Sequence, residues 1–514
     1  DSGGTPMSPA QPHVSQNTSV TVLVSSTAND QVTRFTVELR TLTLTSRSGK
    51  TVALLASPQS SEFMHLNGGI EPLTTVDVPD DVYTSAKVTL GSTMNLNEAE
   101  FVCIGKKPDG GLVVADDSGV TQAPAVNLPS PITVTGTSMA LLLNLEVFNS
   151  AAFPSCLSSL NNSLDPFQDF SLTPAFTLAP IASPTMPPST ESAKVSGLTA
   201  IVASVGTAAS PFTLTVAGGP FGTRTLSASS NSATVFQGVT GPSALSPGMF
   251  VNVDGAVQSD GSLVATRIEA EDPSAINDFI GPVIGVGSES LGGGSRVPVL
   301  YLFGRTELGP LMTLNPGGPS GIYEDLVLFD ASNVVYKISG QFTNLESLPF
   351  VPSFNASNVT PGQNVDVTTL DYVNCAGCPH ANTVTLVPQT IDGRIVGAQQ
   401  AGNFVDWKVA LASDDSFAVL AAEGPAPSND PGHVEVYIDN NTQMLNTGSL
   451  LTGGPFRFYG LVFNDNGTLR MDCARVNDGV PLSAPSSSAQ QVEPRAEIAR
   501  HVVPGLAEKV TTVK

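Results

Sequence analysis

The sequence predicts an all-β protein: an N-terminal β-sandwich (Ig-like or prealbumin-like) followed by three small β-barrel-like repeats. Three observations predict it. Apolar and polar residues alternate in short runs, as on strands with one buried face, beginning with Val20, Val22 and Val24. The 47 Gly and 40 Pro are scattered as turn punctuation and not gathered into one repeat. A strand, Gly-turn, strand pattern then recurs through the second half of the chain.

Residues 1–16 are rich in Pro, Ser, Gly and Gln and read as an extended leader. The sandwich is expected over 17–150. Phe35, Val37 and Leu39 carry one apolar phase, and Leu42 and Leu44 carry the opposite one, which predicts a bulge near Thr41. Further strands are expected at 52–55, 82–90, 101–104, 112–114, 132–134 and 140–147. Residues 151–192, punctuated by Pro154, Pro166, Pro174, Pro180, Pro184, Pro187 and Pro188, read as a crossing segment and linker with a short strand at 170–178.

Three barrel repeats are expected at 193–276, 277–391 and 392–480. Ser246-Pro247-Gly248 with the following strand echoes Thr360-Pro361-Gly362, and both echo the strand opening Phe456-Arg457-Phe458. The echo aligns Val251, Val365 and Arg457. Val195-Ser196-Gly197, Ile280-Gly281-Pro282 and Ile395-Val396-Gly397 look like matching starts, and the middle copy carries an insertion around 291–338. Units of this size bury their own cores, unlike solenoid repeats. Residues 481–514 form a C-terminal tail, with a short helix expected at 494–501 and a short strand at 510–513.

Charge narrows the function. With 22 Lys and Arg against 45 Asp and Glu, the formal net charge is −23. No basic stripe exists to neutralise phosphates, so no nucleic-acid partner is expected, and an anionic membrane is disfavoured for the same reason. No apolar run is long enough to span a bilayer. The opening Asp1-Ser2-Gly3-Gly4 reads as a mature terminus left by processing, so export is expected.

The five cysteines are Cys103, Cys156, Cys375, Cys378 and Cys473. An oxidising compartment favours a Cys103–Cys156 bridge in or beside the sandwich and a small Cys375–Cys378 loop bridge, leaving Cys473 over. Cys375-Ala376-Gly377-Cys378-Pro379-His380 also offers two thiolates and an imidazole, so a metal site and a redox pair stand as alternatives to the structural loop. The motif falls in an expected hairpin turn rather than at a helix start, which favours the structural reading.

Other chemistry is sparse. No Gly-x-Ser-x-Gly or His-Glu-x-x-His occurs, and Gly318-Pro319-Ser320-Gly321 reads as a turn. Asp77 with Asp80 and Asp81, and Asn464-Asp465-Asn466-Gly467, lack the full oxygen ladder of a calcium loop. Trp407, the only tryptophan, keeps carbohydrate binding open. No catalytic residue, cofactor or metal is expected.

From Thr18 to Val147 the chain resembles the bacterial domain-of-unknown-function family 4382, through Val20 to Val24, Phe35 to Leu44 and Val78-Pro79-Asp80-Asp81-Val82-Tyr83-Thr84. The repeats resemble domain-of-unknown-function family 5666, through Ser246-Pro247-Gly248 to Glu269. The resemblance implies an exported, often lipoprotein-type, sandwich with small barrels, and no established chemistry. The expected function is a non-catalytic, extracellular, cell-surface structural subunit that self-assembles into a filament or layer. Its tails would add strands to a neighbour, with Val14, Val20, Val510 and Val513 as donors. The alternative is a monomeric surface module binding polysaccharide or another ligand.

Overall fold

The computed structural model describes residues 17–477 apart from 27–31, 64–65, 67–69, 91–97, 103–111, 116–122, 147–173, 182–193, 207–211, 218–222, 272–276, 291–295, 309–322, 330–333, 341–344, 371–379, 413–414, 423–429 and 446–449. Nearly all regular structure in them is β; one short α-helix, α1 (Ser416–Ala422), stands among the strands.

The first sheet has twelve strands: β1 (Asn17–Ser26), β2 (Val32–Ser46), β3 (Thr51–Ala53), β4 (Gln59–Glu62), β5 (Glu71–Pro79), β6 (Asp81–Leu90), β7 (Glu98–Val102), β8 (Leu112–Ala115), β9 (Ala125–Asn127), β10 (Ile132–Val134), β11 (Ser138–Leu145) and β12 (Phe176–Pro180). Its order is β5-β1-β11-β12-β9-β6-β2-β7-β8, with β10 on β6 and β3 and β4 on β2. Val20, Val22 and Val24 of β1 share one core with Leu42 and Leu44 of β2, so the two halves of the sheet pack face to face. The phase slip near Thr41 is a bulge: Leu39 faces Leu90 and Thr41 faces Thr89, leaving Arg40 over. The strand expected at 170–178 is β12, and it belongs to this sheet, between β11 and β9. Val20 lies fully buried in β1, paired on both sides by β5 and β11. It is therefore no tail donor, which corrects that expectation; Val14, Val510 and Val513 lie outside the described residues.

Three six-stranded sheets follow with one connectivity. Barrel one is built from β13 (Lys194–Ser204), β14 (Phe212–Ala217), β15 (Thr223–Ser229), β16 (Val235–Gln237), β17 (Phe250–Val257) and β18 (Leu263–Ala270). Barrel two uses β19 (Asn277–Ser290), β20 (Arg296–Leu308), β21 (Tyr323–Phe329), β22 (Val335–Ile338), β23 (Asn364–Leu370) and β24 (His380–Leu386). Barrel three uses β25 (Gln389–Ala401), β26 (Phe404–Leu411), β27 (His433–Ile438), β28 (Gln443–Leu445), β29 (Pro455–Asp465) and β30 (Thr468–Asn477). In each, the first long strand pairs antiparallel with the second and fourth, the second with the third, and the fourth with the fifth. A parallel pairing of third and fifth closes the ring, as at Ala228 and Leu263. The short strand before the fourth lies parallel on the fifth. This is the Greek-key connectivity of an OB-type barrel.

The copies align to the residue. Each first strand bulges after Val202, Val283 or Ile395. In each, a glycine at positive φ, Gly248 (91°), Gly362 (93°) or Gly453 (86°), donates its N–H to that residue's carbonyl. The next residue's carbonyl accepts the same residue's N–H. Val251, Val365 and Phe456 then coincide, all buried, so the alignment through Arg457 was one residue out. Arg457 matches Asn252 and Asp366 on the outer face. The three supposed starts do not coincide either: Ala200, Gly281 and Gly393 are the equivalent residues, facing Val251, Val365 and Phe456. Nor is 291–338 an insertion. It supplies β20, β21 and β22, integral strands whose sequence does not echo the other copies.

Candidate functional site

Several buried polar side chains, Arg224, Gln363 and Asn464 among them, sit where one domain meets the next. Ala140 of β11 donates its N–H to the Ser259 carbonyl (2.8 Å). Arg224 of β15, buried, reaches the Ser61 hydroxyl and the Pro72 carbonyl of the sandwich, both at 3.2 Å. Leu23, Ile70 and Ala140 enter the apolar core of barrel one.

Between barrels one and two lies a charged cluster. Arg267 bonds Asp254, the Asn252 amide oxygen (2.9 Å) and Glu269 (2.6 Å). Barrel two answers with Lys337, 4.0 Å from Glu269 and 3.7 Å from Glu271, and with Asp366, which accepts from the Asn252 amide at 3.4 Å. One oxygen of Glu271, Oε2, is buried without a hydrogen bond. Burial pushes the Glu271 carboxyl up to about 7, helped by Asp366 and Glu269 and opposed by Lys337 and Arg267.

Barrels two and three are joined most deeply. Gln363, fully buried, accepts from the Thr360 N–H (2.7 Å) and donates to the Val462 carbonyl (2.9 Å) across the junction. Asn464 donates to the Thr360 hydroxyl at 3.1 Å. Phe404, Tyr437, Leu461 and Phe463 of barrel three pack into the core of barrel two. Phe350 lies 5.2 Å from the Tyr437 ring and 5.7 Å from Phe463, under the Arg470 guanidinium at 5.1 Å. Around them sit Asp406, Glu435, Tyr437 and Asp472. The Tyr437 hydroxyl donates to Glu435 (3.0 Å), which pairs with Arg470 (3.2 Å). Asp406 accepts from the Gln399 amide at 2.6 Å on Oδ2, while its Oδ1 is buried without a hydrogen bond. Burial raises the Asp406 carboxyl and, with Asp406 and Glu435 beside it, the Tyr437 phenol. Burial, then Asp439, pushes Asp472 up to about 7.

This arrangement fastens domains. Glu271 faces Lys337 of the adjoining barrel, and Asp406 and Glu435 are tied to Gln399, Tyr437 and Arg470. The outer face of β26 and β27, on the second and third strands where OB-type barrels bind oligonucleotides and oligosaccharides, is occupied in barrel three by barrel two.

The residues singled out from sequence are distributed as follows. Cys103, Cys156, Cys375 and Cys378 lie outside the described residues, the last two between β23 and β24. Cys473 is buried and free, its thiol pushed up to about 12 by burial. Trp407 lies half-buried against the core of barrel three. Asn464 to Gly467 form the tight turn joining β29 and β30, with Asn466 (φ 52°) and Gly467 (φ 90°) left-handed. Asp80 accepts from the Thr18 hydroxyl (2.7 Å) and Asp81 from the Val82 N–H (2.7 Å). Among the described residues no group of three His, Cys, Asp or Glu is placed to hold a metal, and no helix is long and apolar enough to cross a membrane. Sequence reasoning missed Gln363, Asp366 and Glu271. The available signal was a Gln directly after Pro361-Gly362, where the first copy has Met249.

Residues 202–269, most of barrel one, match a domain of unknown function, DUF5666. No curated protein matches the chain. Two solved structures of the single-stranded DNA binding protein from Thermus aquaticus are similar to part of it. A deletion mutant of that protein is 12% identical, covering 42% of this chain and 100% of its own, at TM-score 0.14. The wild-type protein is 12% identical over 42% of this chain and 98% of its own, at TM-score 0.15. Scores this low carry no functional argument.

Proposed function

We propose that the chain is a non-catalytic structural subunit, exported to the cell surface, that assembles with further copies into a filament or layer. The observation that carries this reading is the continuity of the junctions. Barrels two and three are separated by only Val387 and Pro388 and share an apolar core, and barrel one shares apolar packing with the sandwich. Such a chain transmits load between its domains and does not behave as loosely tethered modules. The strand order of the first sheet ends on the nine-residue β5 and the four-residue β8. Arg224 of barrel one takes the Pro72 carbonyl at the start of β5, but Thr75 and Asp77 further along are exposed, and this stretch is where a strand would add. The donors would be residues 1–16 or 481–514 of a neighbour.

Removing either segment tests the reading. The shortened chain is expected to fold with an unchanged circular-dichroism spectrum yet fail to form high-molecular-weight species in sedimentation. Equal assembly by the shortened chain contradicts strand donation. A second reading, a surface module binding polysaccharide, draws on the OB-type connectivity. It predicts glycan binding by a chain that stays monomeric. The charge of −23 gives no support to nucleic-acid binding by either route.

A further inference from the structure

The three junctions of the chain differ in kind. At the first, Leu23, Ile70 and Ala140 of the sandwich belong to the apolar cluster of barrel one. At the third, Phe404, Tyr437, Leu461 and Phe463 of barrel three belong to the cluster of barrel two. Between barrels one and two, no apolar cluster of the described residues crosses. Strands β13 and β14 approach β20 there. The side-chain bonds across this seam are polar: Asn252 to Asp366 at 3.4 Å, and Lys337 to Glu269 at 4.0 Å and to Glu271 at 3.7 Å. Gln237 fits so closely that a Cβ on Gly340 would collide with its amide oxygen. The chain thus divides into two halves, each fastened by shared apolar packing, with a polar seam between them.

The seam carries surplus negative charge. Four carboxylates, Asp254, Glu269, Glu271 and Asp366, meet two cations, Arg267 and Lys337. Arg267 is engaged within barrel one, by Asp254 and by Glu269 at 2.6 Å. Lys337 reaches across, and its side chain is 36% exposed where that of Glu271 is 11% exposed. The groups facing Glu271 are Asp366 and Lys337 from barrel two and Glu269 and Arg267 from its own barrel. Its Oε2 is buried without a hydrogen bond. Glu271 also stands where the chain leaves barrel one, directly after β18, with its N–H on the Phe250 carbonyl at 2.9 Å. A neutral carboxyl is tolerated in such a place. An ionised one, buried beside two like charges, is not, and parting the barrels returns it to water.

We propose that barrels one and two form a pH-dependent joint between two rigid halves of the molecule, seated while Glu271 holds its proton and released when Glu271 is ionised. The junction of barrels two and three is the internal comparison. It too contains buried acids, Asp406 and Asp472, but a common apolar core spans it, so it stays closed when they ionise. The joint belongs to the single chain, so it stands or falls separately from assembly through the termini.

Small-angle X-ray scattering on the single-chain peak of the full protein, eluted from a sizing column at about pH 5.5 and about pH 8.5, tests it. The wild type is expected to show a larger radius of gyration and longest dimension at the higher pH. The midpoint of the rise should fall near 7, where Glu271 titrates. Circular dichroism should not change over the same range, which separates release of the joint from unfolding. Glu271→Gln, which keeps the shape of the protonated side chain, should hold the smaller dimensions at both pH values. Asp472→Asn, at the other junction, should leave the wild-type response intact. Any swelling of the two termini with pH is common to all three chains, so the difference between Glu271→Gln and the others reads the joint. Equal wild-type dimensions at both pH values, or a Glu271→Gln chain that expands as the wild type does, overturns the proposal.

Discussion

At the residue scale, three glycines at one position give a controlled comparison. Gly248, Gly362 and Gly453 all stand at positive φ, where any side chain costs about 1–2 kcal/mol. A Cβ on Gly248 or Gly453 meets nothing within 4 Å, whereas on Gly362 it would lie 2.7 Å from the Phe417 ring of α1. Gly248→Ala and Gly453→Ala are therefore expected to cost only the backbone strain. Gly362→Ala should cost more and loosen barrel three from barrel two, as read by thermal melts and by proteolysis between the barrels. Equal losses at the three sites would contradict the packing of Phe417 against Gly362. Gln363→Ala should cost about 2–3 kcal/mol, because it leaves the Thr360 N–H and the Val462 carbonyl buried and unpaired. The Pro-Gly echo was legible because a left-handed turn restricts residue choice. Arg457 was misaligned because barrel three replaces Pro-Gly with Thr452-Gly453-Gly454, so only strand register fixes the match.

At the element scale, most sandwich strands were legible from alternation. β4, β5 and β9 were not, since Gln59–Glu62 holds no apolar residue, β9 has three residues and β5 is part exposed. The second and third strands of barrel two read as an insertion because an OB-type barrel constrains which face is apolar, not which residues fill it. The junctions between elements were invisible for a further reason: their acids are common residues whose burial depends on the neighbouring barrel. They predict a pH response. Unfolded Glu271 and Asp472 titrate near their ordinary values of 4.5 and 3.8, and folded both sit at about 7. The folded state therefore holds more protons between these values, so each group's contribution falls as pH rises from about 4 to about 7 and is flat above. The loss is on the order of 3 kcal/mol for each buried carboxyl. Glu271→Gln and Asp472→Asn should raise the melting temperature at pH 8 and change it little near pH 4. Equal effects at both pH values would show that neither group titrates in this range.

At the scale of the whole molecule, the all-β class and the tandem barrels followed from composition and recurrence. The fastening of one domain to the next did not, because it depends on a few side chains such as Arg224, Gln363 and Asn464 meeting distant partners. A chain of −23 repels its own copies at long range, so assembly must rest on local contacts and should strengthen with salt as that repulsion is screened. Sedimentation at low and high ionic strength checks this, and dissociation by moderate salt would count against it. The most direct test of the structural-subunit account is electron microscopy of the full-length chain, purified without denaturant at neutral pH. The account predicts filaments or sheets with a regular repeat. A uniform field of single-chain particles at high concentration would contradict it.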